Sequence, residues 1–208
     1  MDTREEDVVK RAVEEQREAK DRHFKSAHWS PIPERERPGF KALNYYPYDP
    51  GCRVTTRFHR NPNPDTVVMT TSKGDQQTFL RYGAFTFQLG GRVLQLTAYK
   101  AIRPHSGDEE SLFVPFRDGT SGKETYGAAR YLDIPEQSSG DYVIDFNLAY
   151  NPYCAYSEDY VCPLPPRENW LDAPIRAGEK NYHPRKGGPE ASNESPTAPL
   201  KDPEDQGA

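Results

Sequence analysis

At Arg53 the hydrophobic period of this chain changes from 3.6 residues to 2, and that change does most to decide what the chain can fold into. Val54, Thr56 and Phe58 alternate with Arg53, Thr55 and Arg57, the pattern of a strand with one face in a core and the other in water. Phe85, Phe87 and Leu89 alternate with Thr86 and Gln88, and Gly90-Gly91 then leads into Arg92 to Tyr99, which predicts a hairpin with a two-residue turn. Further strands are expected at 66–71, 76–82, 112–116, 128–134 and 141–147, giving about eight short strands with no βαβ crossover among them. Short strands at close spacing imply a mainly β domain, an antiparallel barrel-like or sandwich structure, with barrel-like closure favoured. No repeat with a usable period is present.

Before Arg53 the pattern is helical. Thr3 and Glu6 have capping-box spacing, and Glu6/Lys10, Asp7/Arg11, Glu18/Arg22 and Asp21/Lys25 are i,i+4 pairs of favourable order, so residues 4–25 are expected to form a helix. Its apolar face, Val9, Ala12, Val13 and Phe24, is thin enough that the helix should lie against a surface. Residues 26–51, rich in Pro and aromatic residues, read as an ordered but irregular strap. At the other end, residues 184–208 carry prolines at 184, 189, 196, 199 and 203 and no aromatic residue, too little apolar surface to offset the cost of ordering. The expected organisation is therefore an N-terminal helix over 1–25 packed on the domain, a single β domain over 26–183, and a disordered tail over 184–208.

The formal net charge of −5 shows no basic stripe, which argues against nucleic acid as a partner. No run of 18 apolar residues exists and the N-terminus is a charged helix, so a cytoplasmic protein without a membrane segment is expected. Three cysteines, an odd number, do not make a secreted disulfide framework, and the Asn193-Glu194-Ser195 sequon is expected to be idle.

The segments Leu112 to Asp118, Gly122 to Gly127, Arg130 to Asp133, Asp145 to Asn147 and Tyr150 to Tyr156 read as one linear pattern, continued by Cys162 to Pro166, Glu168-Asn169 and Ala177-Gly-Glu179. Together with the Tyr46-Pro47-Tyr48-Asp49 strap, this series resembles the domain of unknown function 1684 family over roughly residues 10–180. The resemblance implies no activity. Cys52 and Tyr153 stand where an aromatic residue and a proline are expected in that family, so Cys52 should carry no shared role.

The stretch Tyr126 to Asn169 crowds tyrosines, polar residues and two of the three cysteines together, and any site is expected there. Asp145 shares a predicted strand face with Val143 and Asn147, while Tyr142, Ile144 and Phe146 form the core face. If the Asp145 face lines a cavity, Arg130, Asp145 and Asn147 can orient a polar molecule; the alternatives are a wet strand face or a buried Arg–Asp pair that fixes topology. Cys154 and Cys162, seven residues intervening, suit buried packing, a reversible disulfide or, with two further ligands, a metal; no metal-ligand spacing is present, so none is expected and no cofactor is indicated. Gly119-Thr-Ser-Gly-Lys123 lacks the phosphate-loop spacing and reads as a turn or, beside Lys123 and Arg117, as an anion nest.

The loop 149–169 suits either binding or a plug for one barrel end, with Leu164 and Trp170 buried and Glu168-Asn169 capping a helical turn. The leading expectation is a small polar ligand bound at one barrel end under this loop, with Arg130, Tyr131, Asp145, Asn147, Asn151 and Tyr126 as contacts. An enzyme using that pocket would take Asp145 or Glu124 as general base. A module presenting a flat Tyr/Trp surface to a protein partner is the alternative class.

Overall fold

The computed structural model describes residues 3–102 and 111–182. A long helix, α1 (Thr3–Ser26), precedes the strap and six strands: β1 (Arg53–Thr70), β2 (Gln76–Leu89), β3 (Arg92–Ala101), β4 (Ser111–Phe116), β5 (Arg130–Pro135) and β6 (Asp141–Asp145). All pairings are antiparallel and the order is β5-β4-β3-β2-β1-β6, a sheet curled into a nearly closed barrel. The seam beyond β5 is bridged by the loop after β6, where Tyr131 and Tyr150 exchange backbone hydrogen bonds of 2.8 and 3.0 Å.

Six bent strands replace the eight short ones expected, because two predicted breaks lie inside strands. Asn61-Pro62-Asn63-Pro64 looks like a turn in sequence, but it falls at the register shift between Arg60 and Asp65, a bulge within β1 that tolerates two prolines. Its partner strand shifts register between Arg81 and Gly83. There a side chain at Gly83 would meet the Phe58 ring at 2.4 Å and the His59 carbonyl at 2.5 Å, so glycine lets the bent strands close up. The β2–β3 hairpin matches expectation: Leu89 pairs with Arg92 across Gly90 and Gly91, both at positive φ, as a two-residue type I′ turn requires.

The barrel interior holds Phe85, Phe87, Leu96, Leu112, Val114, Phe116, Leu132, Ile134, Tyr142, Ile144 and Phe146, the last three from the predicted core face of β6. A second apolar cluster, Phe24, Ile32, Phe40, Leu43 and Tyr156, joins α1 and the strap to the loop after β6. The helix is seated through a stripe whose apolar members are Val9, Val13 and Phe24, whereas Ala12 is exposed. Arg17, Lys20 and Asp21 continue that stripe. Arg17 donates to the Tyr46 and Asn147 carbonyls at 2.9 and 3.0 Å, and the Leu43 amide donates to Asp21 at 2.9 Å. The thin apolar face is thus completed by polar groups, Arg17 and Asp21 pairing with backbone and Lys20 with the Glu179 carboxylate.

Between β3 and β4 the ladder is nearly missing, with Tyr99 opposite Phe113 the one paired position, and Pro115 has no N–H to offer. Asn169 replaces it. Its amide donates to the Thr97 and Pro115 carbonyls at 2.8 and 2.7 Å and accepts from the Thr97 N–H at 2.8 Å, all fully buried. Asn169→Ala would strand one backbone donor and two acceptors, so we expect a loss of about 2 to 4 kcal/mol in denaturant unfolding. An unchanged midpoint would show that another group holds the two strands together. The expected tail over 184–208 lies outside the described residues.

Candidate functional site

Arg130 begins β5 on the barrel's inward face, in line with Leu132 and Ile134, and its side chain is 1% exposed. Its guanidinium crosses the Phe116 ring at 5.2 Å and pairs with Asp118 Oδ2 at 3.1 Å. It also donates to the carbonyls of Ile175 at 2.9 Å, of Ala177, and of Glu179 at 3.4 Å. Burial lowers the Arg130 pKa while Asp118 acts in the opposite direction. The second Asp118 contact is the Ile175 N–H at 2.6 Å. Its other oxygen accepts from Thr120 Oγ1 at 2.8 Å and Ser121 Oγ at 3.2 Å, which shapes the Gly-Thr-Ser-Gly segment as a turn.

Arg130 and Asp145 therefore do not face each other. They belong to β5 and β6, the two edge strands in the sheet order, and each has its own partner. Asp145 lies 3.6 Å from Arg53 and accepts from the Asn147 backbone and side-chain amides at 2.9 and 2.8 Å. Asn147 is not on the strand; it sits in a 3-10 turn (Phe146–Leu148) and exchanges hydrogen bonds with the Asp49 backbone at 2.8 and 2.9 Å. Asn151 binds the Lys180 carbonyl at 2.9 Å, and its N–H donates to Glu179 at 3.0 Å. All four polar residues are buried, with partners in the strap for Asn147 and in the C-terminal segment for Arg130 and Asn151. Of the proposed general bases, Glu124 is clasped by Arg176 at 2.8 to 3.1 Å and by the Tyr46 hydroxyl at 3.0 Å, and the Arg176 contact holds its carboxyl below the ordinary value.

The aromatic residues make the opening instead. Tyr131, on the outer face of β5, packs edge-on against Phe113 at 4.8 Å and Tyr150 at 5.8 Å, and its hydroxyl donates to the Pro163 carbonyl at 2.5 Å. The loop after β6 folds over this face. It leaves an open cleft of about 540 Å³ lined by Phe24, Tyr131, Tyr150, Tyr153, Tyr160 and Cys162, with Lys20 and His23 of α1 on the helix side. The Lys20 ammonium pairs with the buried Glu179 carboxylate at 2.5 Å and lies 4.9 Å from the Tyr150 ring centre. Tyr126 is behind this wall, its hydroxyl 3.4 Å from the Cys154 carbonyl and 3.6 Å from Cys154 Sγ. A larger depression of about 600 Å³ lies over Val54, Thr56, Thr86, Phe87 and Val93, but its one ionisable residue, Arg57, is paired with Asp141.

Trp170 departs from the expected plug: it is 41% exposed, with Arg117 and Arg167 over its ring at 4.3 and 4.7 Å, and Leu164 is half-buried. Glu168-Asn169 does end a short turn (Arg167–Asn169), yet Asn169 serves the barrel and Glu168 binds Arg81 and Tyr99. Among the described residues, no three His, Cys, Asp or Glu side chains are grouped as a metal ion needs, and no helix is long and apolar enough to cross a membrane.

A family model described as "Protein of unknown function (DUF1684)" matches residues 38–180. The chain belongs to the DUF1684 family. The matched span contains the whole barrel and the Arg130–Asp118 centre, while α1 lies before it. An uncharacterized protein of Haloarcula marismortui, solved by solution NMR, is similar at 38% identity and a TM-score of 0.67, over 86% of this chain and 97% of that one. No curated protein matches.

Removing the Arg130 side chain would leave the buried Asp118 carboxylate without its charge partner. Arg130→Ala should therefore lose about 3 to 5 kcal/mol of stability, read by thermal or denaturant unfolding. A variant as stable as the wild type would return Arg130 to the list of free ligand contacts.

Proposed function

We propose that this DUF1684 protein is a small-molecule-binding protein whose site is the cleft between α1 and the loop 149–169. The carrying observation is the convergence of Phe24, Tyr131, Tyr150, Tyr153 and Tyr160 on one open cleft, with a lysine and a histidine on one side. Aromatic walls with few polar groups are the usual make-up of a ligand pocket. Two of the tyrosine hydroxyls are turned to protein partners, Tyr131 to Pro163 and Tyr150 to Asp133 at 2.5 Å, so these two offer the cleft their rings more than their hydroxyls. Such a surface suits a planar ring-bearing molecule whose polar group meets His23 and Lys20 at the rim.

Of the six contacts expected from sequence, Tyr131 lines this cleft, and Tyr126 lies behind its wall against Cys154. Arg130, Asp145, Asn147 and Asn151 hold the walls in place. We further propose a cytoplasmic location, which suits three cysteines, Cys52, Cys154 and Cys162, that form no structural disulfide.

The test is native mass spectrometry of protein purified from its own host, together with ligand-observed NMR against a panel of planar heteroaromatic compounds. Tyr153, 37% exposed and edge-on to Tyr160 at 5.1 Å, can be removed with little effect on the fold. We expect Tyr153→Ala to weaken binding by about ten-fold, the scale of one lost aromatic contact. Absence of any retained or panel ligand whose binding depends on Tyr153 would sink the proposal.

A further inference from the structure

Cys154 and Cys162 stand eight positions apart in sequence, yet the Cys154 N–H donates to Cys162 Sγ at 3.4 Å, which sets the second thiol against the first cysteine. They are brought together by a loop that is closed on both sides. Outside, Tyr153 and Tyr160 pack edge-on, and Ser157 and Asp159 form the tip through hydrogen bonds of 3.0 and 3.2 Å. Inside, the β1–β2 turn anchors the second cysteine: the Cys162 N–H donates to Ser72 Oγ at 3.1 Å and the Ser72 N–H to the Cys162 carbonyl at 2.8 Å. The thiols differ in setting. Cys154 is half-buried beneath the Tyr126 hydroxyl, whereas Cys162 is buried and forms part of the cleft wall.

We propose that Cys154 and Cys162 form a dithiol centre that exchanges with low-molecular-weight disulfides, with Cys154 attacking and Cys162 resolving. The Cys154 thiolate attacks one sulfur of the disulfide RSSR, forming Cys154–S–S–R and expelling RS⁻. The Cys162 thiol then passes its proton to the expelled thiolate and attacks Cys154 Sγ. The protein disulfide forms and the second RS⁻ leaves. The protein has lost two electrons and RSSR has gained them.

The electrostatics favour this order. Hydrogen bonding to Cys162 and from the Tyr126 hydroxyl lowers the Cys154 thiol pKa, against the opposing effect of burial. Cys162 is pushed strongly upward, first by its hydrogen bond to Cys154 and then by burial. That first cause vanishes once Cys154 carries a mixed disulfide, so the first step itself frees the resolving thiol. Cys52 supplies an internal control, because burial and the neighbouring Asp49 push it up to about 12.

The experiment treats the reduced full-length protein with excess glutathione disulfide under native conditions and reads intact mass and peptide maps. Wild type should lose two hydrogen atoms and yield a Cys154–Cys162 cross-linked peptide, with Cys52 still reduced. Cys162→Ser should stop at one glutathionyl adduct on Cys154, and Cys154→Ser should react at least ten-fold more slowly. Alkylation of Cys154 in wild type should persist to lower pH than that of an ordinary thiol, the direction set by a depressed thiol pKa, and its midpoint should rise in Tyr126→Phe. The proposal is overturned if wild type keeps both thiols, if Cys52 reacts as fast as Cys154, or if a folded Cys162→Ser forms no adduct. The wild-type arms require no variant to fold, and none of the arms depends on a ligand in the cleft.

Discussion

The charge of Arg130, enclosed at one end of the barrel, is the constraint on which the remaining structure depends. Taking a guanidinium out of water costs several kcal/mol, and a single carboxylate rarely offsets it. Here Asp118 is joined by carbonyls of Ile175, Ala177 and Glu179. Those acceptors come from a segment without regular secondary structure, and their attachment fixes its path across the barrel end. Gly178 at the same place must be glycine: its φ is +77°, and a Cβ would meet the Ala149 and Phe146 carbonyls at 2.5 and 2.7 Å.

Seating that segment places Glu179, and Glu179 in turn organises everything around the cleft. Its carboxylate accepts from Lys20 of α1, from the Tyr156 hydroxyl and from the Asn151 N–H. Helix, loop and C-terminal segment thus meet on one buried anion, itself held in position from the barrel interior. The aromatic cleft is the gap left between parts fixed in this way, and the paired thiols are part of its wall.

What sequence periodicity reports is which face a residue occupies, and on that it was informative. The core face of β6, the Gly90-Gly91 hairpin and the extent of α1 follow directly from spacing. Partners are another matter. Arg130 reads as one of several charges on a strand, and nothing local says that its acceptors lie 45 to 49 residues later. Asn169, Arg17 and Asp21 were hidden for the same reason, because they pair with backbone, which carries no sequence signal, and Lys20 because its partner Glu179 lies 159 residues later. The gap between the strands expected around Arg53–Phe58 and at 66–71 is the opposite case: Asn61-Pro62-Asn63-Pro64 carries turn chemistry that is also bulge chemistry, and only the partner strand distinguishes them. The nearness of Cys154 and Cys162 was legible only as a possibility, since Ser72, which seats the second of them, lies 90 residues earlier.

The Arg130 arrangement also bears on how the protein is made. On the ribosome, all six strands have been synthesised well before Ile175, Ala177 and Glu179 emerge. Until then the nascent barrel has Asp118 but none of the carbonyls that make a buried guanidinium tolerable. Closing that end earlier would bury the guanidinium against a lone carboxylate, so the energetics favour a barrel end that closes last. The part whose docking completes it is a short segment that adds no strand to the sheet.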